Sequence, residues 1–418
     1  MKKLRIGIFG VGRGTGLGRD CLMLNCDVVA LCDSRRETMD KARAVFPDAA
    51  VYESFDDFIN HDMDAVILAN YFHQHAPYAI RCFERGLHVL SECISNGTMA
   101  EGVELLRAFE RSEGVVYMLA ENYPQMLFTR EIKRVCTGGT LGRILYAEGE
   151  YNHPTDPYDG SWTKRYKFFE GHWRHHVPAS YYVTHSLGPI MWATGATPRR
   201  ITAFNVFSPR PDDAPGATYA GDKAAVMMTQ NDDGSVFRFT GCAAFGGHHN
   251  SYRVAGTKGT IENLRGMGEQ VMLRYNAWEM PEGAEETQLY TPSWNDRDEE
   301  LIIKSGHGGG DYLTVRSFVE AIREGRQPEH PFDIYSAVAM SSVAILAHRS
   351  ALEGGKPYDI PDMRQESERT AWENDRITPF PNERGEKSIP TCSSVDYAPN
   401  ELQLEGYYKQ LENSTYQV

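Results

Sequence analysis

Between Arg5 and Asn122, short apolar runs rich in β-branched residues alternate with stretches in which apolar side chains recur every three or four positions. The first pattern fills both faces of a buried strand and the second fills one face of a helix, so the segment reads as consecutive βαβ units on a parallel sheet. Strands are predicted at 5–10, 27–33, 50–54, 65–70, 88–92 and 115–121, with helices at 37–46, 76–85 and 99–112. After a helix near 126–136 the pattern changes to longer runs joined by turns, at 144–151, 200–207, 223–230, 235–243, 251–255, 260–263 and 270–275. Asn231-Asp232-Asp233-Gly234 separates two of these runs and has the composition of a hairpin turn. An open, mostly antiparallel sheet is expected there, followed by helices at 312–324 and 334–353. From 363 the chain is polar and proline-rich, which predicts an irregular tail lying over the surface or a neighbouring subunit.

The expected fold is therefore a doubly wound α/β Rossmann domain over 1–123 and an α+β domain with an open antiparallel sheet over 124–362, with a tail over 363–418. A length of 418 residues agrees with two hydrophobic cores rather than one. Fifty-seven acidic against 43 basic side chains give a net charge of −14, which repels phosphate backbones and anionic lipid, and no basic patch overrides it. No apolar run approaches the roughly 20 residues of a membrane span. Neither nucleic acid nor a membrane is expected as a partner. The start MKKLRIGIFG runs from a short apolar stretch into glycines, which predicts a strand rather than an export signal. Eight cysteines without a C-x-x-C pair then suggest reduced thiols in the cytoplasm. The histidine pairs 175–176 and 248–249, and His73 with His75, lack the ligand spacing of a zinc site, so no metal is expected.

Glycines at 10, 12, 14, 16 and 18 follow the first strand and precede a helical stretch. There a backbone can turn tightly and approach a pyrophosphate resting on the helix N-terminus, although the sixth place counted from Gly10 is Thr15 rather than glycine. Asp33 ends the next strand, where a carboxylate accepts hydrogen bonds from ribose hydroxyls and favours NAD; a helix-capping aspartate is the alternative. Arg35 and Arg36 keep NADP open, since either can pair with a 2′-phosphate.

Several segments together resemble the glucose–fructose oxidoreductase, inositol dehydrogenase and rhizopine-catabolism (Gfo/Idh/MocA) family over about residues 3–362. They are Gly10-Val-Gly-Arg-Gly14, Val89-Leu-Ser-Glu-Cys-Ile94 and Ala255-Gly-Thr-Lys-Gly-Thr260. Glu121-Asn122, Tyr182-Val-Thr-His-Ser-Leu-Gly-Pro189, Gly306-His-Gly-Gly-Gly-Asp-Tyr312 and Asp333-Ile-Tyr-Ser336 are similar to its NAD-dependent branch typified by α-N-acetylgalactosaminidases. The resemblance implies NAD at Gly10, Gly12, Arg13, Gly14, Asp33, Ser34, Arg35, Asn70, His75, Glu92 and Asn122, with NADP possible, and a homodimer or homotetramer. It also implies a small carbohydrate or glycoside as substrate. Where the family carries Glu-Lys-Pro this chain has Glu92-Cys93-Ile94, so a thiol with a reference pKa of about 8.5 replaces the ammonium that helps move the hydroxyl proton in the dehydrogenases.

Oxidation of a secondary alcohol by NAD needs a base beside the nicotinamide, and Tyr182, His185, Glu92 and Tyr123 are the candidates. If 182–185 is helical, Tyr182 and His185 share a face; a buried histidine bonded to a carbonyl is the alternative. Trp162, Trp173, Arg174, His307 and Asp311 are candidates for gripping a sugar, against core packing, a solvated loop, or Asp311 as a helix cap. Three readings follow. The first is an oxidoreductase transferring hydride from a sugar carbon, C3 in the branch resembled. The second is a glycosidase or lyase whose oxidation, elimination, hydration and re-reduction leave no net redox change, and the third is a silent NAD- or sugar-binding protein.

Overall fold

The computed structural model describes residues 3–158, 173–215, 221–241 and 243–412. The first part alternates β1 (Leu4–Phe9), α1 (Val11–Met23), β2 (Cys26–Cys32), α2 (Arg36–Val45), β3 (Ala50–Tyr52), α3 (Phe55–Phe58), β4 (Ala65–Leu68), α4 (His75–Glu84), β5 (His88–Ser91), α5 (Met99–Glu110) and β6 (Tyr117–Leu119). All six strands pair in parallel in the order β3-β2-β1-β4-β5-β6. The order reverses between β1 and β4, and ligands of such sheets bind beyond the strand carboxyl ends at that switch. β4 is buried at all four residues, which is why its run reads as continuously apolar. Thr98 and Glu101 start α5 with reciprocal side-chain to backbone hydrogen bonds, a capping box.

The second part begins with α6 (Leu127–Thr137) and β7 (Ile144–Asn152), followed by α7 (Thr184–Thr194). It continues through β8 (Pro198–Val206), β9 (Ala224–Asn231), β10 (Val236–Thr240), β11 (His249–Gly256), β12 (Gly259–Asn263), β13 (Val271–Tyr275) and β14 (Thr287–Tyr290). After α8 (Glu299–Lys304), α9 (Gly310–Glu324) and α10 (Ile334–Leu352), β15 (Tyr358–Asp359) completes a nine-stranded sheet. Every pair in it is antiparallel except β10 with β7. The 231–234 turn closes the β9–β10 hairpin with Gly234 at φ +85°. The edge strands β14 and β15 are short and carry little periodicity, and the sequence reading misses both.

α10 holds the two parts together. It is buried on all sides from Ser336 to Ser350, so its alanines and serines carry no amphipathic stripe. Ser350 Oγ accepts the Ala203 N–H of β8 at 3.0 Å, while Ser341 Oγ lies 2.9 Å from Ser95 Oγ and accepts the Ser95 N–H at 3.2 Å. Val338 packs against Gly102 of α5, where a Cβ would approach within 2.8 Å.

The tail lies over this same chain. Arg349 forms a two-pronged ion pair with Asp375, both contacts 2.6 Å, and the buried Arg369 pairs with Glu110. His348 Nε2 donates to the Pro390 carbonyl at 2.7 Å. Against the expectation of an irregular tail, α11 (Glu366–Arg369) and a longer helix, α12 (Glu401–Glu412), form in it. The missed signal is local: Asn400 Oδ1 accepts the Gln403 N–H at 2.8 Å and Gln403 Oε1 accepts the Asn400 N–H at 3.0 Å, a capping pair three residues apart. Replacing Asp375 with alanine leaves the Arg349 guanidinium, its side chain 8% exposed, without its carboxylate. A destabilisation of about 3 kcal/mol is expected, read as a melting temperature lowered by several degrees; an unchanged value would mean that this pair does not anchor the tail.

Candidate active site

At the carboxyl end of β1 three glycines divide the work by position. Gly10 sits at φ +89°, and a Cβ there would lie 2.3 Å from the Ala69 carbonyl. Gly14 presses α1 onto β1, since its Cβ would meet Ile8 Cγ2 at 2.4 Å. Gly12 has nothing closer to its Cβ position than Arg35 Nη2 at 3.4 Å, which leaves room for a ligand to approach the backbone. The close-packing glycine thus comes one place earlier than the usual spacing. Asp33, after β2, accepts the Val11 N–H at 3.1 Å and the Arg35 N–H at 2.9 Å, so its carboxylate is fixed beside the start of α1. Arg35 Nε lies 3.5 Å from Asp33, and Ser34 between them is exposed. This cradle fits a dinucleotide: a tight turn, an open backbone edge at a helix N-terminus and a carboxylate at the ribose end.

Arg13 spans the mouth of the cradle. Its Nε donates to Glu92 at 2.7 Å, and its two terminal nitrogens donate to Asp311 at 2.8 and 2.6 Å. Asn122 Nδ2 and His307 Nδ1 also donate to Asp311, at 2.7 and 2.9 Å. Burial pushes the Asp311 carboxyl up, but hydrogen bonds and charge from Arg13 and His307 outweigh it and hold it well below the usual carboxylate range. Asp311, expected to cap a helix or hold substrate, lies in the first turn of α9 as the partner of the glycine loop. Asn70 is half-buried with Nδ2 3.4 Å from the Gln74 carbonyl. His75 is buried and donates Nδ1–H to the Ile94 carbonyl at 2.7 Å, and desolvation lowers its proton affinity.

A second cluster forms where β6 meets α7. His185 lies in the first turn of α7 and Tyr182 just before it, so the two meet across the helix N-terminus rather than along one face. His185 Nδ1 is 2.8 and 3.0 Å from the two oxygens of Glu121, which is 0% exposed. Burial alone would raise the Glu121 carboxyl; the His185 charge and hydrogen bonds from His185, Thr184 and the Tyr123 N–H bring it below its ordinary value. A carboxylate on Nδ1 fixes the tautomer and leaves Nε2 as the ring nitrogen available to a ligand. Around it, Tyr123 stacks on the imidazole at 4.1 Å, and Tyr151 and Tyr182 meet its edge at 5.0 and 5.2 Å. Tyr182 lies parallel to Phe72 at 5.7 Å, Phe72 parallel to Trp173 at 5.0 Å, and the Arg174 guanidinium sits 4.5 Å over Trp173. His307 lies 6.2 Å from Tyr123, between this cage and Arg13.

The structure therefore gathers Tyr123, Tyr182, His185, Trp173, Arg174 and His307 in one neighbourhood, while Glu92 is held on the cofactor side by Arg13. Trp162 lies outside the described residues. Glu121 and Phe72 are the members that sequence reasoning passes over as site residues. A glutamate at the end of a strand buried among apolar neighbours is the signal for Glu121, because such a charge requires a partner. Among the described residues no group of three or more histidine, cysteine, aspartate or glutamate side chains is placed to hold a metal ion.

A parallel sheet in the dinucleotide-binding order, with this cradle at its switch point, defines an NAD-binding oxidoreductase. Residues 4–120 match the model of the oxidoreductase family with an NAD-binding Rossmann fold, residues 129–262 the GFO/IDH/MocA C-terminal domain, and residues 219–372 the glycosyl hydrolase 109 C-terminal domain. The chain belongs to the GFO/IDH/MocA oxidoreductase family. It is 25% identical to a glycosyl hydrolase family 109 protein of Shewanella sp. (strain ANA-3), over 90% of this chain and 87% of that protein. It is also 25% identical to one of Stenotrophomonas maltophilia (strain K279a), over 87% and 89%. Among solved structures, levoglucosan dehydrogenase with NADH and L-sorbose has a TM-score of 0.72 at 18% identity, over 86% of this chain and all of that one. The myo-inositol 2-dehydrogenase of Lactobacillus plantarum has 0.66 at 20%, with the same coverage.

Asp20 of α1 accepts the Ser305 hydroxyl at 3.1 Å, and burial together with the charge of Asp311 pushes its carboxyl up to about 6. A carboxyl raised in the folded state costs stability progressively as pH rises from about 4 to about 6, and the whole cost is present above that. Asp20→Asn keeps an acceptor for Ser305 and is expected to stabilise the protein at pH 7.5 by on the order of 1–3 kcal/mol. The gain should disappear near pH 4. Thermal melting of both proteins across this range checks it, and a gain independent of pH would refute the assignment to Asp20.

Proposed function

We propose that the protein holds NAD in the glycine-loop cradle and acts on a sugar or glycoside in the aromatic cage, with His185 as the proton-handling group. The observation that carries this reading is the His185–Glu121 pair, set among tyrosines beyond the carboxyl ends of the NAD-binding sheet. Names of relatives point the same way: solved neighbours are sugar dehydrogenases, and sequence relatives are family 109 glycosyl hydrolases. When bound, NAD supplies the hydride acceptor. His185 Nε2 accepts the proton of the substrate hydroxyl, and the Glu121 carboxylate balances the imidazolium that results. Tyr182, Tyr123 and Tyr151 offer hydroxyls around the same ring, and the faces of Trp173 and Phe72 suit the apolar face of a sugar. Asp33, fixed at the ribose end, favours NAD over NADP.

Two observations favour the variant in which oxidation is transient and a glycosidic bond is broken by elimination. The Cys93 thiol is pushed far up by burial and by the charges of Glu121 and Glu92, so it supplies neither a cation nor a base. Arg13, bridged to Glu92 and Asp311, closes over the cradle and suits a cofactor retained through turnover. The open face of the nine-stranded sheet exposes Phe204 and Met228 on adjacent strands, which supports pairing into a homodimer or homotetramer. No described helix is long and apolar enough to cross a membrane, and we assign the protein to the cytoplasm.

His185→Asn is expected to lower kcat about 10²- to 10⁴-fold with the fold and bound NAD retained. The assay incubates protein and NAD with free sugars and aryl glycosides, following NADH absorbance and released aglycone together. Aglycone release that requires NAD yet accumulates no NADH supports the cycling variant; stoichiometric NADH without aglycone supports net dehydrogenation. Full activity of His185→Asn would overturn the role given to His185. Arg13→Met is expected to lose copurified NAD, read by the nucleotide released on denaturation, and undiminished NAD content would remove Arg13 from the cradle's closure.

A further inference from the structure

Cys93 stands directly after Glu92 at the end of β5, and its Sγ is 3.3 Å from Glu121 Oε2. That oxygen is also 3.0 Å from His185 Nδ1, while Oε1 takes His185 Nδ1 at 2.8 Å and the Tyr123 N–H at 3.1 Å. A carboxylate without solvent contact must draw all its donors from the protein. Here they are the imidazole, one backbone N–H, the Thr184 hydroxyl and the Cys93 thiol. Only the imidazole among them gains a positive charge. The cation on the cofactor side, Arg13, is committed to Glu92 and Asp311.

We propose that Cys93 is a positioning residue of this pair: as a neutral S–H donor it orients the Glu121 carboxylate and leaves the carboxylate's charge to His185. The proposal rests on the reading of His185 as the proton-handling group, but its geometry stands without any substrate. Desolvation and the two neighbouring carboxylates keep the thiol protonated through the neutral range, so it donates rather than accepts. A thiol is a weak donor, which satisfies an oxygen lone pair without drawing much charge from it. A stronger donor or a cation in the same place would share the carboxylate and weaken its hold on the imidazolium. The groups facing the pair are the rings of Tyr123, Tyr151 and Tyr182, the Tyr252 hydroxyl on the His185 carbonyl, Glu92 behind the thiol, Tyr117 of β6 beside Cys93, and the Thr184 hydroxyl, which also reaches the thiol.

The test is the titration of His185, followed by NMR in full-length protein carrying ¹³Cε1-labelled histidine, with His185→Asn identifying the resonance among the 14 histidines. Cys93→Ala and Cys93→Val remove the donor, the second with little loss of volume, whereas Cys93→Ser keeps a hydroxyl donor. The midpoint is expected to move up by roughly half a pH unit in the alanine and valine variants and to stay level or fall with serine. The acid limb of the kcat profile should move with it while KM stays unchanged. Equal midpoints in all four proteins, or equal shifts for serine and alanine, would reduce Cys93 to packing and overturn the proposal. Because the titration needs no substrate, it can fail while the sugar chemistry stands. It can equally succeed if His185→Asn proves fully active.

Discussion

A charged carboxylate shut away from water has to be neutralised by the protein itself, and this requirement organises the site. Glu121 leaves the end of β6 in the parallel sheet, and its partner His185 opens α7 of the second part. Asp311, at the start of α9, is likewise answered by Arg13 from the glycine loop. Each pair crosses from one half of the molecule to the other, and removing one partner from such a pair costs about 3–5 kcal/mol. The cofactor cradle and the aromatic cage are therefore set against each other by ionic contacts as well as by the buried faces of α10.

The same two pairs divide the chemistry. Around Asp311 donors from Arg13, Asn122 and His307 converge on one carboxylate and fix the shape of the cradle. Around Glu121 the imidazole keeps its second nitrogen for a ligand, and stacked tyrosines surround it. His307 donates to Asp311 and lies near Tyr123, joining the two clusters. On the proposed reading, NAD in the cradle and His185 in the cage give the hydride acceptor and the proton acceptor that alcohol oxidation requires.

Much of this is legible in the sequence. The βαβ grammar, the glycine loop and the carboxylate ending β2 follow from local rules, because apolar periodicity and turn chemistry act within a few residues. The 231–234 hairpin and the helices after it were legible for the same reason. Elements whose stability comes from packing were not. β14 and β15 exist because a neighbouring strand accepts them; α12 has a local start in its Asn400–Gln403 capping pair but is held in place by packing, with Tyr407 buried and Gln403 reaching the carbonyls of Arg210 and Pro211.

Sequence by itself determined the family and the dinucleotide loop and singled out His185 and Tyr182 as candidates, since motif and residue type carry that information. Tertiary structure alone decided that Glu121 holds His185, that Asp311 answers Arg13, and that Cys93 touches Glu121. These contacts join residues 64, 298 and 28 positions apart. A side chain's partner at such separation is set by how two sheets and α10 pack, and no local pattern encodes it.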